Sequence, residues 1–426
     1  MNSIPVKTIE ISHGLDLLKL LPATNSLASL ASLASLAWIR GGDGVIGIGE
    51  FERFEVSGGN SSGNDQDRFD QMRAWWQAKL AKFIVTDELH LSGTGPIAFI
   101  SASFDPAEKS VVVIPKIIIG QRNGKSWLTW IGDLPKPEVV EYPKPEAPLN
   151  LSWAGGGLEP HLWEGIVSQA VARITAGELD KVVLARDLTA HSDLPFDARH
   201  IMLKLAEKYS ATWIFHIDGL VGATPELLLR LNKGLVTSRV LAGTIQRTGD
   251  DEHDLALAGS LARSSKDLEE HKFAVQSVTQ SLMPFCSSTN IPESPFVLHL
   301  ANVMHLATDV TGVISDSLTP ADLFALAGTL HPSAAVCGTP REIAKKVITE
   351  LEGISRGRYA GPVGWIDSRG EGELGIALRC AQINPNNQKQ IRLFAGCGIV
   401  AGSDPKKEYA ESQAKLLPIR EALESY

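Results

Sequence analysis

Short apolar or alternating runs bounded by turn residues recur along most of the chain, and they read as strands. Ala37 to Val56 (AWIRGGDGVIGIGEFERFEV) predicts two strands around a Gly-Gly-Asp-Gly turn. GPIAFISASFD and SVVVIPKIIIGQRNGKSWLTWIG predict further strands in hairpins. Later strands are KVVLARDLT (Lys181 to Thr189), WIFHI, ELLLRLNKGLVTSRVL and AGTI, with a tight turn at Asn232-Lys233-Gly234, then GPVGWID, GELGIALRCAQI and QIRLFAG. Helical spacing is confined to fewer segments. DRFDQMRAWWQAKLAKF and WEGIVSQAVARITAGELD are two of them. From Ser264 to Met283 the residues Leu268, His271, Val275, Val278 and Leu282 form one stripe, Ser264 and Asp267 suit a capping box, and Pro284 is the stop. The last helix runs from about Pro405 to Leu423, with Ser403 or Asp404 as cap and Pro405 in the first turn.

Two segments break this pattern. Ser26 to Ala37 repeats as SLASLASLASLA, a period of three that drifts around a helix, and reads as a low-complexity helix or surface segment without chemistry. Leu134 to Pro148 holds five prolines, with PKPE twice, and reads as an extended linker. A provisional boundary there divides 1–150 from 151–426. Strand follows strand too often for a repeating βαβ unit, so an antiparallel α+β fold is expected.

Composition changes this picture little. The chain has 426 residues, 44% hydrophobic and 21% charged, ordinary for a globular protein. A net charge of -9 argues against a nucleic-acid or anionic-membrane partner but leaves room for an anionic small molecule held by local cations. Cys286, Cys337, Cys380 and Cys397 form no C-x-x-C pair, which points away from a zinc or redox motif and toward the cytoplasm. The first residues lack a signal-peptide pattern, and no stretch approaches the roughly 18 apolar residues of a membrane span.

The chemistry-bearing positions each have a plain alternative. Glu408, Glu411 and Lys415 share one helical face, suited to a hard cation and its anionic ligand or, as readily, to a solvated face with a Glu411–Lys415 pair. Gly396, Gly398 and Gly402 follow G-x-G-x-x-x-G without a βαβ context, so a dinucleotide loop is a poor reading, although such a turn can offer backbone N–H groups to a carboxylate. Lys181 is either an edge lysine with its head in water or a desolvated base. Glu226 is either a solvent-facing strand entry or a buried proton donor, and His331 is either a satisfied histidine or a site residue. Asp250, Asp251, Glu252 and Asp254 lack calcium-loop spacing and read as a solvated loop.

Taken in order, KVVLAR, GATPELLLR, SRVLAGTIQR, SKDLEEH, LHPSAAVCGTP, GRYAGPVGW, ALRCAQI, RLFAGCGIVAGSDP and KEYAES resemble the chorismate-utilising enzymes, a family that includes isochorismate, salicylate, anthranilate and aminodeoxychorismate synthases. The strong likeness covers about Leu179 to Leu423, and 37–132 resemble the family's variable N-terminal strands. The resemblance implies two large antiparallel sheets packed together with helices outside, the proline-rich stretch being a surface crossover within one unit. It implies Mg²⁺ held by Glu270 and Glu411, with Glu408 reaching it through water. Arg379, Lys415 and the backbone of Gly396 to Gly398 would bind substrate carboxylates. Gly243 and Thr244 would line the ring site with His331 nearby. Lys181 would be the general base and Glu226 the general acid, with burial helping the one to lose its proton and the other to keep it.

The lysine at 181 resembles the members that use water as nucleophile, which are isochorismate and salicylate synthases. LHPSAAVCGTP and GRYAGPVGW look more like the former. A non-catalytic binding protein on the same fold is the remaining alternative. The expected partner is chorismate alone, with the protein a monomer.

Overall fold

A computed structural model describes residues 3–23, 35–57, 65–315 and 321–425. Alternation does what it predicts. Gly41 and Gly42, both with positive φ, turn the Ser35–Arg40 strand into Asp43–Val56, and Lys233 and Gly234 turn Leu227–Asn232 into Leu235–Gln246. The Ser265–Leu282 helix is capped by Ser264, whose hydroxyl accepts from the Asp267 N–H, and the Pro405–Glu424 helix by Asp404, which accepts from Lys407.

The two large antiparallel sheets that were expected are the two arms of a single hydrogen-bonded network. The cause lies in the length of two strands. Asp43–Val56 and Ser110–Arg122 pair with each other and reach into both arms. One arm continues from Asp43–Val56 through Ser35–Arg40 and Trp213–Ile217 to Leu220–Thr224, Cys380–Ile383, Gln390–Ile399 and Lys181–His191. The other runs from Ser110–Arg122 through Ile97–Ser101 and Pro362–Asp367 to Gly372–Ile376, Leu227–Asn232, Leu235–Gln246 and Val303–Ile314. The pairings are antiparallel, apart from Ile4–Ile11 with Phe83–Asp87. Leu184 and Phe215 of the first arm and Leu229 and Val363 of the second belong to one apolar cluster. A second cluster seats the Ala198–Lys208 and Pro405–Glu424 helices on the first arm through Met202, Leu205, Leu416 and Ile419. Burying such alternating faces from both sides is the main stabilising contribution to a sheet protein.

Two expectations are corrected. Ser35 to Ala37, the end of the SLA repeat, are buried in a strand, not a helix or surface segment, and residues 26–34 of that repeat lie outside the described residues. The acidic run is a helix start and not a solvated loop. Asp250 caps Asp251–Leu261, and buried Asp254 accepts from the Thr248 backbone and from Arg247. The proline-rich stretch has no regular structure, as expected, and is tied down by Tyr142 N–H to Lys19 O and by Arg199 to Pro143 O. Strand pairs Phe215–Trp38 and Trp365–Phe99 join 1–150 to 151–426.

Candidate active site

Lys181 opens the Lys181–His191 strand, which pairs along its length with Gln390–Ile399 and at its start with Gly338–Thr339. The side chain is fully buried, which rules out an edge lysine in water. Its Nζ lies 3.1 Å from Glu270 Oε1, off the direction of a hydrogen bond, so this nitrogen has no hydrogen-bond partner among the described residues. Gly398, on the strand beside it, faces this pair. A Cβ there would collide with Glu270 Oε1 and stand 3.0 Å from Lys181 Cε, so the pair itself demands glycine.

Glu226 follows Pro225 between two buried strands, 5% exposed. Burial pushes its carboxyl up to about 8, against the pull of Lys181, Arg379 and Lys415, so it holds its proton at neutral pH. This is the state a general acid needs, and it comes from the walls around the residue.

Gly243 sits at a bulge of the Leu235–Gln246 strand with φ +77°, a left-handed conformation natural to glycine, and a Cβ there would come within 3.0 Å of Asp267 Cβ. The bulge aims Thr244 Oγ1 at His305 Nδ1, 3.2 Å away, while Arg379 donates to His305 Nε2 at 3.1 Å. This network assigns the proton to Nδ1. Burial first, then the Arg379 charge, hold the imidazole well below its ordinary range and hence neutral. Arg379 itself adopts φ +47° between two strands.

On the last helix, Lys415 Nζ donates to Gly396 O at 2.9 Å and pairs with Glu411 Oε1 at 2.6 Å. Burial lowers its proton affinity, Glu411 raises it, and the net shift is upward, so this lysine is a fixed cation. Lys266 pairs with Glu408 Oε1 at 3.1 Å. Three glutamates thus each face one lysine: Glu270 with Lys181, Glu408 with Lys266 and Glu411 with Lys415. Ligand atoms of Glu408, Glu411 and Cys397 lie within 4.8 Å of one another, whereas Glu270 leans toward Lys181 and is not of that set. Burial and the nearby Glu411 charge raise the Glu408 carboxyl. Crowded, half-desolvated carboxylates of this kind suit a small hard cation with oxygen ligands. Glu408 and Glu411 therefore suit Mg²⁺, while the protonated Cys397 thiol donates to Glu408 O and is no hard-cation ligand, and Glu270 would join them only by turning from Lys181.

One cavity is lined by Glu226, Gly243, Thr244, Glu270, Arg379, Gly396, Gly398 and Lys415, with Lys181 beneath Gly398 and Glu270. His331 does not line the cavity but stands just behind its wall, against the lining residue Ala360. It is fully buried with Nδ1 toward Arg68 at 3.1 Å and Nε2 toward Ala360 O at 3.0 Å, so it braces the wall from behind. The cavity also holds three residues not singled out from the sequence. These are His305, Tyr359 and Arg356. Arg356 is held by Glu352, Val336 O and Val183 O, and so fixes the Lys181 strand against the HPSAAVC turn. Tyr359 and Arg356 lie in the quoted GRYAGPVGW segment or beside it. His305, an isolated histidine in an apolar strand, carried no signal.

The sequence matches the profile described as "Chorismate binding enzyme" over residues 40–424. It is 32% identical to isochorismate synthase MenF of Bacillus subtilis (strain 168) over 410 residues, covering 89% of this chain and 85% of that protein. It is 31% identical to isochorismate synthase EntC of Escherichia coli (strain K12), covering 86% and 89%. The structure of MenF, the menaquinone-specific isochorismate synthase from Escherichia coli, superimposes with a TM-score of 0.79 at 25% identity, covering 99% of this chain and 95% of that one. Motif order, fold and cavity agree with these matches, and the chain belongs to the chorismate-binding enzyme family.

Proposed function

We propose that the protein is an isochorismate synthase, an isomerase that moves a hydroxyl group on chorismate. The observation that carries this reading is a fully buried amine at Lys181, behind the cavity wall at Gly398, together with a cavity-lining carboxyl at Glu226 that burial keeps protonated. Chorismate carries two carboxylates, and a net-acidic protein needs local cations to hold them. Arg379 and Lys415 supply these, with the N–H groups around Gly396 to Gly398. Glu270, Glu411 and Glu408 would hold Mg²⁺, which when bound neutralises and fixes a substrate carboxylate.

Water is a weak nucleophile, so Lys181 as general base takes its proton as the oxygen bonds to ring C2. The ring double bonds shift, the C4–O bond breaks, and Glu226 gives its proton to the departing hydroxyl, which leaves as water. The sum is neutral, and microscopic reversibility exchanges the two roles in the back reaction. Neutral His305, held between Thr244 and Arg379, orients that guanidinium toward the ring site. The strand pairings across 1–150 and 151–426 support a single working unit. Four unpaired thiols support a reducing, cytoplasmic setting.

Purified protein with chorismate and Mg²⁺ is expected to give an equilibrium mixture of chorismate and isochorismate with little pyruvate. Chromatography with a coupled pyruvate assay tests this. Stoichiometric pyruvate and salicylate would replace the reading with salicylate synthase, and no turnover at all would leave a binding protein.

A further inference from the structure

The Leu227–Asn232 strand begins beside Glu226 and ends in a second concave site, of about 320 Å³, that shares no lining residue with the chorismate cavity. At its base Trp38 and Trp213 donate their indole N–H groups to Glu373 Oε2 at 2.9 and 3.1 Å, and Arg122 and Arg230 both donate to Oε1 at 3.2 and 3.0 Å. Glu373 is therefore saturated. Arg40 is not so placed. Its guanidinium lies 4.2 Å from the Trp213 ring centroid and its Nε donates to Ala211 O at 2.9 Å. Among the described residues it has no carboxylate partner. Asp43, the other acid lining the site, accepts from the Asn123 N–H at 3.1 Å. Three guanidiniums thus face two carboxylates, one positive charge in surplus within a chain of net charge -9. Asn232 Oδ1 is a buried acceptor with no donor among the described residues.

We propose that this pocket binds a small organic carboxylate that also carries a hydrogen-bond donor, its carboxylate on Arg40 and its donor on Asn232 Oδ1. A planar carboxylate matches the two terminal nitrogens of a guanidinium in bidentate fashion. A single surplus charge matches a monoanion better than phosphate, much of which is a dianion at neutral pH and which has more oxygens to satisfy. Burial and the neighbouring Arg239 and Arg230 charges lower the proton affinity of Arg40, the strain of like charges that an anion relieves.

Isothermal titration with 3-hydroxybenzoate, benzoate and inorganic phosphate tests the site. The Arg379→Ala protein is used alongside the wild type, so that carboxylate binding in the chorismate cavity is told apart. One site per chain is expected in both, with 3-hydroxybenzoate bound more tightly than benzoate and phosphate weakest. Arg40→Gln should weaken 3-hydroxybenzoate binding by about tenfold or more, while chorismate turnover without ligand stays as in the wild type. Asn232→Leu, a second variant of similar volume, should erase the preference for 3-hydroxybenzoate over benzoate. Absence of saturable binding to the folded wild type, a preference for phosphate, or affinity indifferent to both substitutions overturns the proposal.

Discussion

Two charged clusters sit at the two ends of the Leu227–Asn232 strand, and they are built differently. In and behind the wall of the chorismate cavity three lysines face three glutamates one to one, and Glu226 stands apart with its proton. In the tryptophan-lined pocket three arginines face two carboxylates, and Glu373 accepts from two guanidiniums and two indoles. Lysine is a point charge on a long stem that can change partners, whereas the planar guanidinium fixes geometry. On the proposed function, the first cluster exchanges an internal cation for a metal or a substrate. The second is a rigid frame with one charge left over.

Breaking each cluster should therefore damage different things. The largest expected effect is on turnover. Lys181→Ala and Glu226→Gln should each cost about 10²–10⁴-fold in kcat, in both reaction directions, with circular dichroism unchanged. A near-normal kcat in either folded variant would remove that residue from the mechanism. Next, Glu373→Gln should act on stability. Replacing a buried carboxylate that neutralises Arg122 and Arg230 should cost about 3–5 kcal/mol in chemical denaturation, with residual activity per folded molecule retained. Loss of less than about 1 kcal/mol would mean that the frame is not rigid.

A smaller effect belongs to the proposed metal ligands. Glu411→Gln should weaken Mg²⁺ binding in calorimetry by about tenfold, since one charge-assisted ligand is lost, and exhaustive chelation should abolish wild-type turnover. The mildest effect is the pH dependence of Glu226. Its folded value near 8 lies above the ordinary 4.5, so the stability it contributes is complete below about 4.5 and declines as pH rises through 8. Turnover should fall on the same alkaline limb. Glu226→Gln should flatten the stability profile and melt above the wild type at pH 9. An unchanged profile would show that Glu226 ionises normally.

Much of this was legible without coordinates. The Lys181 strand, the capped Ser264 helix, the last helix with Glu408, Glu411 and Lys415 on one face, and the Asn232-Lys233-Gly234 turn all follow from period and from turn or cap chemistry, which act over a few residues. The ordered motifs brought the cavity residues together as names, and the Glu411–Lys415 pair follows from i,i+4 spacing. What only tertiary structure decided concerns partners far apart in sequence. Long Asp43–Val56 and Ser110–Arg122 strands merge two sheets into one network, because hydrogen bonding at a strand edge depends on which edge arrives there. His331 and His305 are alike in sequence, each a lone histidine near apolar residues. Arg68 and Ala360 O claim both nitrogens of the first, while Arg379 and Thr244 hold the second in the cavity. The protonation of Glu226 and the surplus charge at Arg40 belong to the same class. Local sequence specifies a group's chemistry, but its charge state and free partners depend on what the folded chain packs around it, and desolvation is set by neighbours that no short window contains.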